Sequence, residues 1–182
     1  MAITINSTPL DPLCNSYVSL AEMLAYVTDR KPDPAVRTAW VALSDDLKAT
    51  YLANATRSLD YSCEWIGDRY SRDQKLDWPR SNAYYDGFLL DNTTFPQAVK
   101  DATCEMACWS MENNGVISIS QNAGYDSIKV GPINIDFNEN VGGSANKYFP
   151  DEVAYLLADY GVMRNPDLPG ANRIRTTHLQ RA

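Results

Sequence analysis

A single histidine, His178, is all the imidazole that this chain of 182 residues carries. Catalysis by an activated serine or cysteine needs a tuned base beside the nucleophile, and histidine is the usual supplier. The one histidine stands in a C-terminal stretch without apolar periodicity, so no such site is expected. Cysteine is sparse too: Cys14, Cys63, Cys104 and Cys108 contain no Cys-x-x-Cys pair. A zinc site would have to gather all four thiols from three separate regions. Without a secretion signal at Met1–Leu13, a disulfide framework is equally unexpected, and the thiols read as buried and reduced. No phosphate-cradling or dinucleotide-binding glycine loop occurs. The carboxylate pairs Asp45–Asp46 and Asp151–Glu152 stand at expected helix starts, where the helix dipole accounts for them. The expectation is a protein with no catalytic residue, no metal and no cofactor, and not an enzyme. No apolar run approaches the roughly 18 residues that span a bilayer, so no membrane partner is expected.

Positive charge is the other shortage. Sixteen Lys and Arg face 23 Asp and Glu, for a net charge of −7. Phosphate neutralisation dominates generic nucleic-acid affinity, and an acidic surface lacks it. DNA passing such a wall should be repelled rather than captured. The cations are also unevenly placed. Val162–Ala182 carries Arg164, Arg173, Arg175 and Arg181 against Asp167, giving +3 there and therefore −10 elsewhere.

Apolar material is plentiful. Hydrophobic residues make up 45% of the chain, with four Trp, eleven Tyr and four Phe, too much apolar surface to leave in water as a disordered chain. Residues 1–15 read as an N-terminal arm, because Ile3 and Ile5 alternate and Pro9 and Pro12 interrupt any helix. Ser19-Leu-Ala-Glu22 is a capping box, followed by Leu20, Met23, Leu24 and Val27 at helical spacing. The prolines of Asp29–Pro34 predict a loop. Ser44 caps a long helix whose stripe is Leu43, Leu47, Tyr51, Leu52, Ala55, Leu59, Cys63 and Ile66, with Gly67 as its stop. Residues 68–94 read mostly as loop. Pro96 starts a third helix with Val99, Ala102, Met106 and Trp109 inward, ending at Asn113-Asn-Gly115. Alternation at Ile117, Ile119, Ile128, Val130, Ile133, Ile135 and Phe137 predicts a β element around 116–137. Pro150 opens a fourth helix with Val153, Leu156, Leu157 and Tyr160 inward, closed by Gly161.

Trp65, Arg69, Tyr70, Arg72, Lys75, Trp78 and Arg80 mix aromatics and cations, as single-strand binding surfaces do. Glu64, Asp68, Asp73 and Asp77 interleave with them and blunt phosphate attraction. The reading is that Trp65 and Trp78 fill the core or a subunit interface while the cations stay solvated. Trp78 should be extended, since the residue before proline is pushed out of the helical region.

Four segments occur in order: Asn15-Ser-Tyr-Val-Ser-Leu-Ala-Glu22, Ala55-Thr-Arg-Ser-Leu-Asp60, Trp65-Ile-Gly-Asp-Arg69 and Gln74-Lys-Leu-Asp-Trp-Pro-Arg80. With Phe95-Pro-Gln-Ala-Val-Lys-Asp-Ala102 and Val130-Gly-Pro-Ile133, they resemble a phage family over about residues 15–160. The family carries two labels, DnaT-like single-stranded-DNA-binding protein and tailed-phage head–tail connector or adaptor. The resemblance, weighed with the acidic body, favours the adaptor: a structural virion protein forming a homo-oligomeric, dodecameric ring beneath the portal. It implies a mainly α fold, a four-helix adaptor domain over 16–161 with a small β hairpin or ribbon, flanked by arms at 1–15 and 162–182. The implied partners are the portal, gripped by Arg164, Arg173, Arg175 and Arg181, and tail, nozzle or stopper proteins. Genome DNA would pass through the channel without specific binding. The implied location is the phage neck, with the host cytoplasm during assembly. Trp65, Gln74, Trp78, Pro79 and Arg80 form the core or interface motif. The alternative is a single-stranded-DNA-binding, DnaT-like replication protein.

Overall fold

The computed structural model describes residues 3–113, 115, 127–130, 133–136 and 149–163. Helix α1, Leu20–Asp29, starts where the sequence places it. The Ser19 side chain accepts from the Glu22 amide and the Glu22 carboxylate accepts from the Ser19 amide, closing the reciprocal box. Met23 and Val27 are its fully buried residues.

The loop expected at Asp29–Pro34 is present over residues 30–33, and an unexpected helix follows it. Helix α2 spans Pro34–Ala42, with Asp33 capping the Ala35 amide at 2.8 Å and Pro34 in the first turn. Proline there loses an amide that would have no partner anyway, so it starts a helix rather than breaking one. Trp40 is what α2 buries. The count of described helices is therefore five, and the four-helix reading is corrected.

Helix α3, Asp45–Ser62, is capped by Ser44 as expected. Its buried stripe is Ala49, Leu52, Ala55, Thr56 and Leu59, while Leu47 lies exposed. The helix stops at Ser62 rather than near Gly67. Cys63–Trp65 leaves as strand β1, because an antiparallel partner, Gly161–Met163, arrives from the far end of the chain. The segments β2 (Asp68–Arg69), β3 (Arg80–Ser81), β4 (Tyr84–Tyr85) and β5 (Phe88–Leu89) follow. They form two ribbons, β2 with β3 and β4 with β5. Asp86 and Gly87 both have positive φ, which gives the two-residue β4–β5 turn its primed geometry.

Helix α4, Gln97–Glu112, packs against α1, α2 and α3, and also against α5, Asp151–Leu157. Its sequence suits a helix surrounded by others: Ala102, Thr103, Cys104, Ala107, Cys108 and Ser110 are small and buried, and let neighbouring backbones approach closely. Strands β6 (Ser127–Val130) and β7 (Ile133–Asp136) pair antiparallel, with Val130 opposite Ile133. This agrees with the expected ribbon; Ile117, Ile119 and Phe137 lie outside the described residues.

Strand β8, Gly161–Met163, completes the ribbon with β1, so Gly161 lies in a strand rather than closing a helix. A Cβ on Gly161 would lie 2.5 Å from Cys63 Sγ and 2.8 Å from Glu64 O. The two strands can approach only because that atom is missing.

The segment 3–15 is tied to itself at its base. The Asn15 side chain accepts from the Asn6 amide at 2.9 Å and donates to Thr4 O at 2.8 Å, and Cys14 is buried. The described fold is mainly α, with small antiparallel ribbons. No helix among the described residues is long and apolar enough to cross a membrane.

Candidate nucleic-acid interface

The aromatic and cationic residues singled out in 65–80 divide into two groups. Trp78 is 1% exposed and its ring meets Trp65 edge-on at 5.9 Å and Tyr160 at 6.1 Å. Trp65 is buried as well. Neither indole can stack on a base without unfolding its surroundings. The Trp78–Pro79 peptide is cis.

The charged and polar members around these rings hold the loop together. Gln74 is buried; its amide nitrogen donates to Leu76 O at 2.8 Å and Pro79 O at 3.1 Å, and its oxygen accepts from the Ser71 amide at 2.9 Å. Arg80 donates through Nε to Ile66 O at 2.6 Å, and through its terminal nitrogens to Gly67 O at 2.7 Å and Asp77 O at 3.3 Å. Arg69 donates to the carbonyls of Gln74 and Leu76 and sits 3.5 Å from the Asp77 carboxylate. Gly67, at φ +68°, lets the chain turn where a Cβ would stand 2.4 Å from Ser81 O. So Trp65, Gln74, Trp78, Pro79 and Arg80 come together as one intrachain cluster.

Three residues of this stretch are left facing solvent with no structural task. Tyr70 is 45% exposed, and Arg72 and Lys75 are exposed on the same short loop. Among the described residues neither cation forms an ion pair, whereas Arg30, Lys31, Lys48, Arg69 and Lys100 do. The loop thus presents a ring, two positive charges and the Asp73 carboxylate between them on a backbone fixed from behind by Arg69 and Gln74.

Beneath the loop lies a group that composition and spacing did not single out. Asp60, in the last turn of α3, accepts from the Tyr17 hydroxyl at 2.5 Å and from the Asp77 amide at 3.3 Å. The same hydroxyl accepts from the Trp78 amide at 3.2 Å. Burial pushes the Asp60 carboxyl up to about 7, helped by the Asp77 charge and opposed by the Tyr17 bond and Arg69. Burial also holds the Tyr17 phenol well above its ordinary range. Asp60 ends the segment Ala55-Thr-Arg-Ser-Leu-Asp60, and nothing in the local pattern shows that its partners come from residues 17 and 77.

The four cysteines are buried thiols. Burial raises Cys14 to about 11 and Cys108 to about 12. Among the described residues no cluster of His, Cys, Asp or Glu could hold a metal ion. The arginines expected to grip a portal, Arg164, Arg173, Arg175 and Arg181, lie outside the described residues.

A mainly α domain with small ribbons, and an aromatic–cationic loop held rigid by its own side chains, has the parts of a nucleic-acid contact. The chain matches, over residues 1–177, the family model described as "Putative DnaT-like ssDNA binding protein", and it belongs to that family. No curated protein and no solved structure matches the chain.

The match overturns the adaptor reading: nothing points to a head–tail connector, and the alternative expectation is the one supported. The error has a physical source. The acidity of the whole chain favours the adaptor, but net charge is a sum over the whole surface. A contact with a few nucleotides depends on a few local cations, and here Arg72 and Lys75 are exposed and, among the described residues, form no ion pair, with the exposed Asp73 between them in sequence.

Proposed function

We propose that the protein binds single-stranded DNA through the loop 69–75. Tyr70 stacks on a base, and Arg72 and Lys75 meet the flanking phosphates. The observation that carries this reading is the division of labour in the loop. Arg69, Gln74 and Arg80 are committed to holding backbone carbonyls, whereas Tyr70, Arg72 and Lys75 face solvent without such a task, with the exposed Asp73 among them. Membership of the DnaT-like family supports the ligand class. Stacking tolerates any base, because every base has a π-face, so the binding is expected to be insensitive to sequence. Such a role needs no catalytic group and no cofactor, which suits a chain with one histidine.

The test is fluorescence anisotropy with a labelled oligothymidine. A stacked base is worth about 1–3 kcal/mol, so Tyr70→Ala should weaken binding roughly 5- to 160-fold. Because Tyr70 is half exposed, its melting temperature should stay near that of the parent chain. An unchanged dissociation constant would remove Tyr70 from the site.

A further inference from the structure

The other exposed aromatic surface has the opposite electrostatic character. The β4–β5 hairpin carries Tyr84 (57% exposed), Phe88 (74%) and Leu89 (61%), with Tyr85 stacked on Tyr160 at 5.4 Å between ring centroids. An open cavity of about 260 Å³ lies there, lined by Tyr84, Tyr85, Asp86 and Asp159. Among the described residues, neither carboxylate is in an ion pair with a cation. Two tyrosine rings and two unpaired carboxylates repel phosphate. The combination suits a guanidinium, which can lie over a ring while donating to a carboxylate.

We infer that this pocket is the docking site of the chain's own C-terminal segment, with Arg173-Ile174-Arg175 as the part that enters it. Three observations on charge, pattern and reach agree. The segment from Val162 carries +3 in a chain that is −10 elsewhere, so the charges are complementary. Arg173 and Arg175 flank Ile174, so two guanidiniums and an apolar side chain would arrive together at a pocket with two carboxylates, on a hairpin that leaves Phe88 and Leu89 exposed. Asp159 on the pocket rim stands four residues before Met163, the end of β8. The stretch from there to Arg173 can extend about 33 Å at ~3.3 Å per residue, ample for a return to the hairpin. Docking would cover apolar surface that the fold leaves in water and would withhold these arginines from other anions.

The test uses the full-length chain and NMR. Position 176 follows Arg175, and a Thr176→Cys variant takes a thiol-reactive spin label selectively, since the native cysteines are buried. Raised pKa values at Cys14, Cys104 and Cys108 lower their reactivity further. The label is expected to broaden the amide signals of Tyr84–Leu89 and Asp159–Tyr160 above those of the rest of the domain. In the Asp86→Asn/Asp159→Asn background the effect should fall roughly twofold or more, as for an exposed charge pairing. Two results would overturn the proposal. One is no selective broadening at the hairpin, or broadening that ignores the double substitution. The other is broadening of an isotope-labelled, spin-free copy mixed with the spin-labelled one, which would make a second molecule the occupant.

Discussion

Replacing Trp78 by alanine is expected to cost about 3–5 kcal/mol of folding stability, the range for deleting a large buried ring. The ring is 1% exposed and is braced edge-on by Trp65 and Tyr160. Those two partners come from β1 and from the turn before β8, so Trp78 joins the ribbon that ties the chain's middle to its end. Tyr17 adds a third distant element by accepting the Trp78 amide. Against a typical total of 5–15 kcal/mol, the loss would leave the domain marginal or unfolded. Trp78→Phe keeps one ring but leaves a smaller cavity, so it should cost clearly less than the alanine substitution. Denaturant midpoints of the two variants, at unchanged m-value, check this. An alanine variant within about 1 kcal/mol of the parent would mean that the ring is not part of the core.

A second large effect is expected from pH. The folded Asp60 carboxyl titrates at about 7 because it is buried, whereas in the unfolded chain it titrates near the ordinary value of 3.8. Between those values the unfolded state has released a proton that the folded state still holds. Stability from this group is therefore full below about pH 4 and is lost as pH rises through about 7. At 1.36 kcal/mol per pH unit the loss is up to roughly 4 kcal/mol. Asp77, Arg69 and Tyr17 surround the group and share in setting its value. Asp60→Asn cannot ionise and keeps an oxygen for the Tyr17 hydroxyl, so it should abolish this part of the slope. Denaturant midpoints from pH 4.5 to 8 for both proteins give the comparison. Parallel profiles would show that Asp60 is not the titrating group.

Helix starts were the most legible part of the sequence, because the signals are local. Ser19 with Glu22, and Ser44, act within their own turns and do what their spacing implies. The missed helix α2 shows the limit of reading proline as punctuation. Pro34 follows a capping Asp33, and that context turns the same residue from breaker to starter. Endings were harder. The apolar stripe of α3 continues through Cys63 to Ile66, but the chain leaves the helix because Gly161–Met163 offers strand pairing. A partner about a hundred residues away leaves no trace in the local pattern. The Asp86-Gly87 pair between Tyr85 and Phe88 was a legible turn, but read inside a polar stretch it did not suggest a hairpin displaying four apolar side chains.

The candidate site was half visible. Residues 65–80 stood out for their mixture of rings and cations; Trp65 and Trp78 are buried. Arg69 and Arg80 cannot be told from Arg72 by sequence, since all three are arginines near carboxylates. Only the fold shows that two of them hold carbonyls while the third faces water. Overall charge pulled the functional reading the wrong way, because it weighs a distant carboxylate the same as one beside the loop.

Single-strand binding by the loop 69–75 requires that Arg72 and Lys75 meet phosphates. The direct measurement is the salt dependence of oligothymidine binding, for the parent chain and for Arg72→Ala/Lys75→Ala. Each phosphate neutralised on a single strand contributes about 0.7 to the slope of log affinity against log salt. Removing two contacts should therefore flatten the slope by about 1.4 and weaken binding most at low salt. A double variant with the parent's slope, or a parent chain that binds no single strand at low salt, would contradict the assignment.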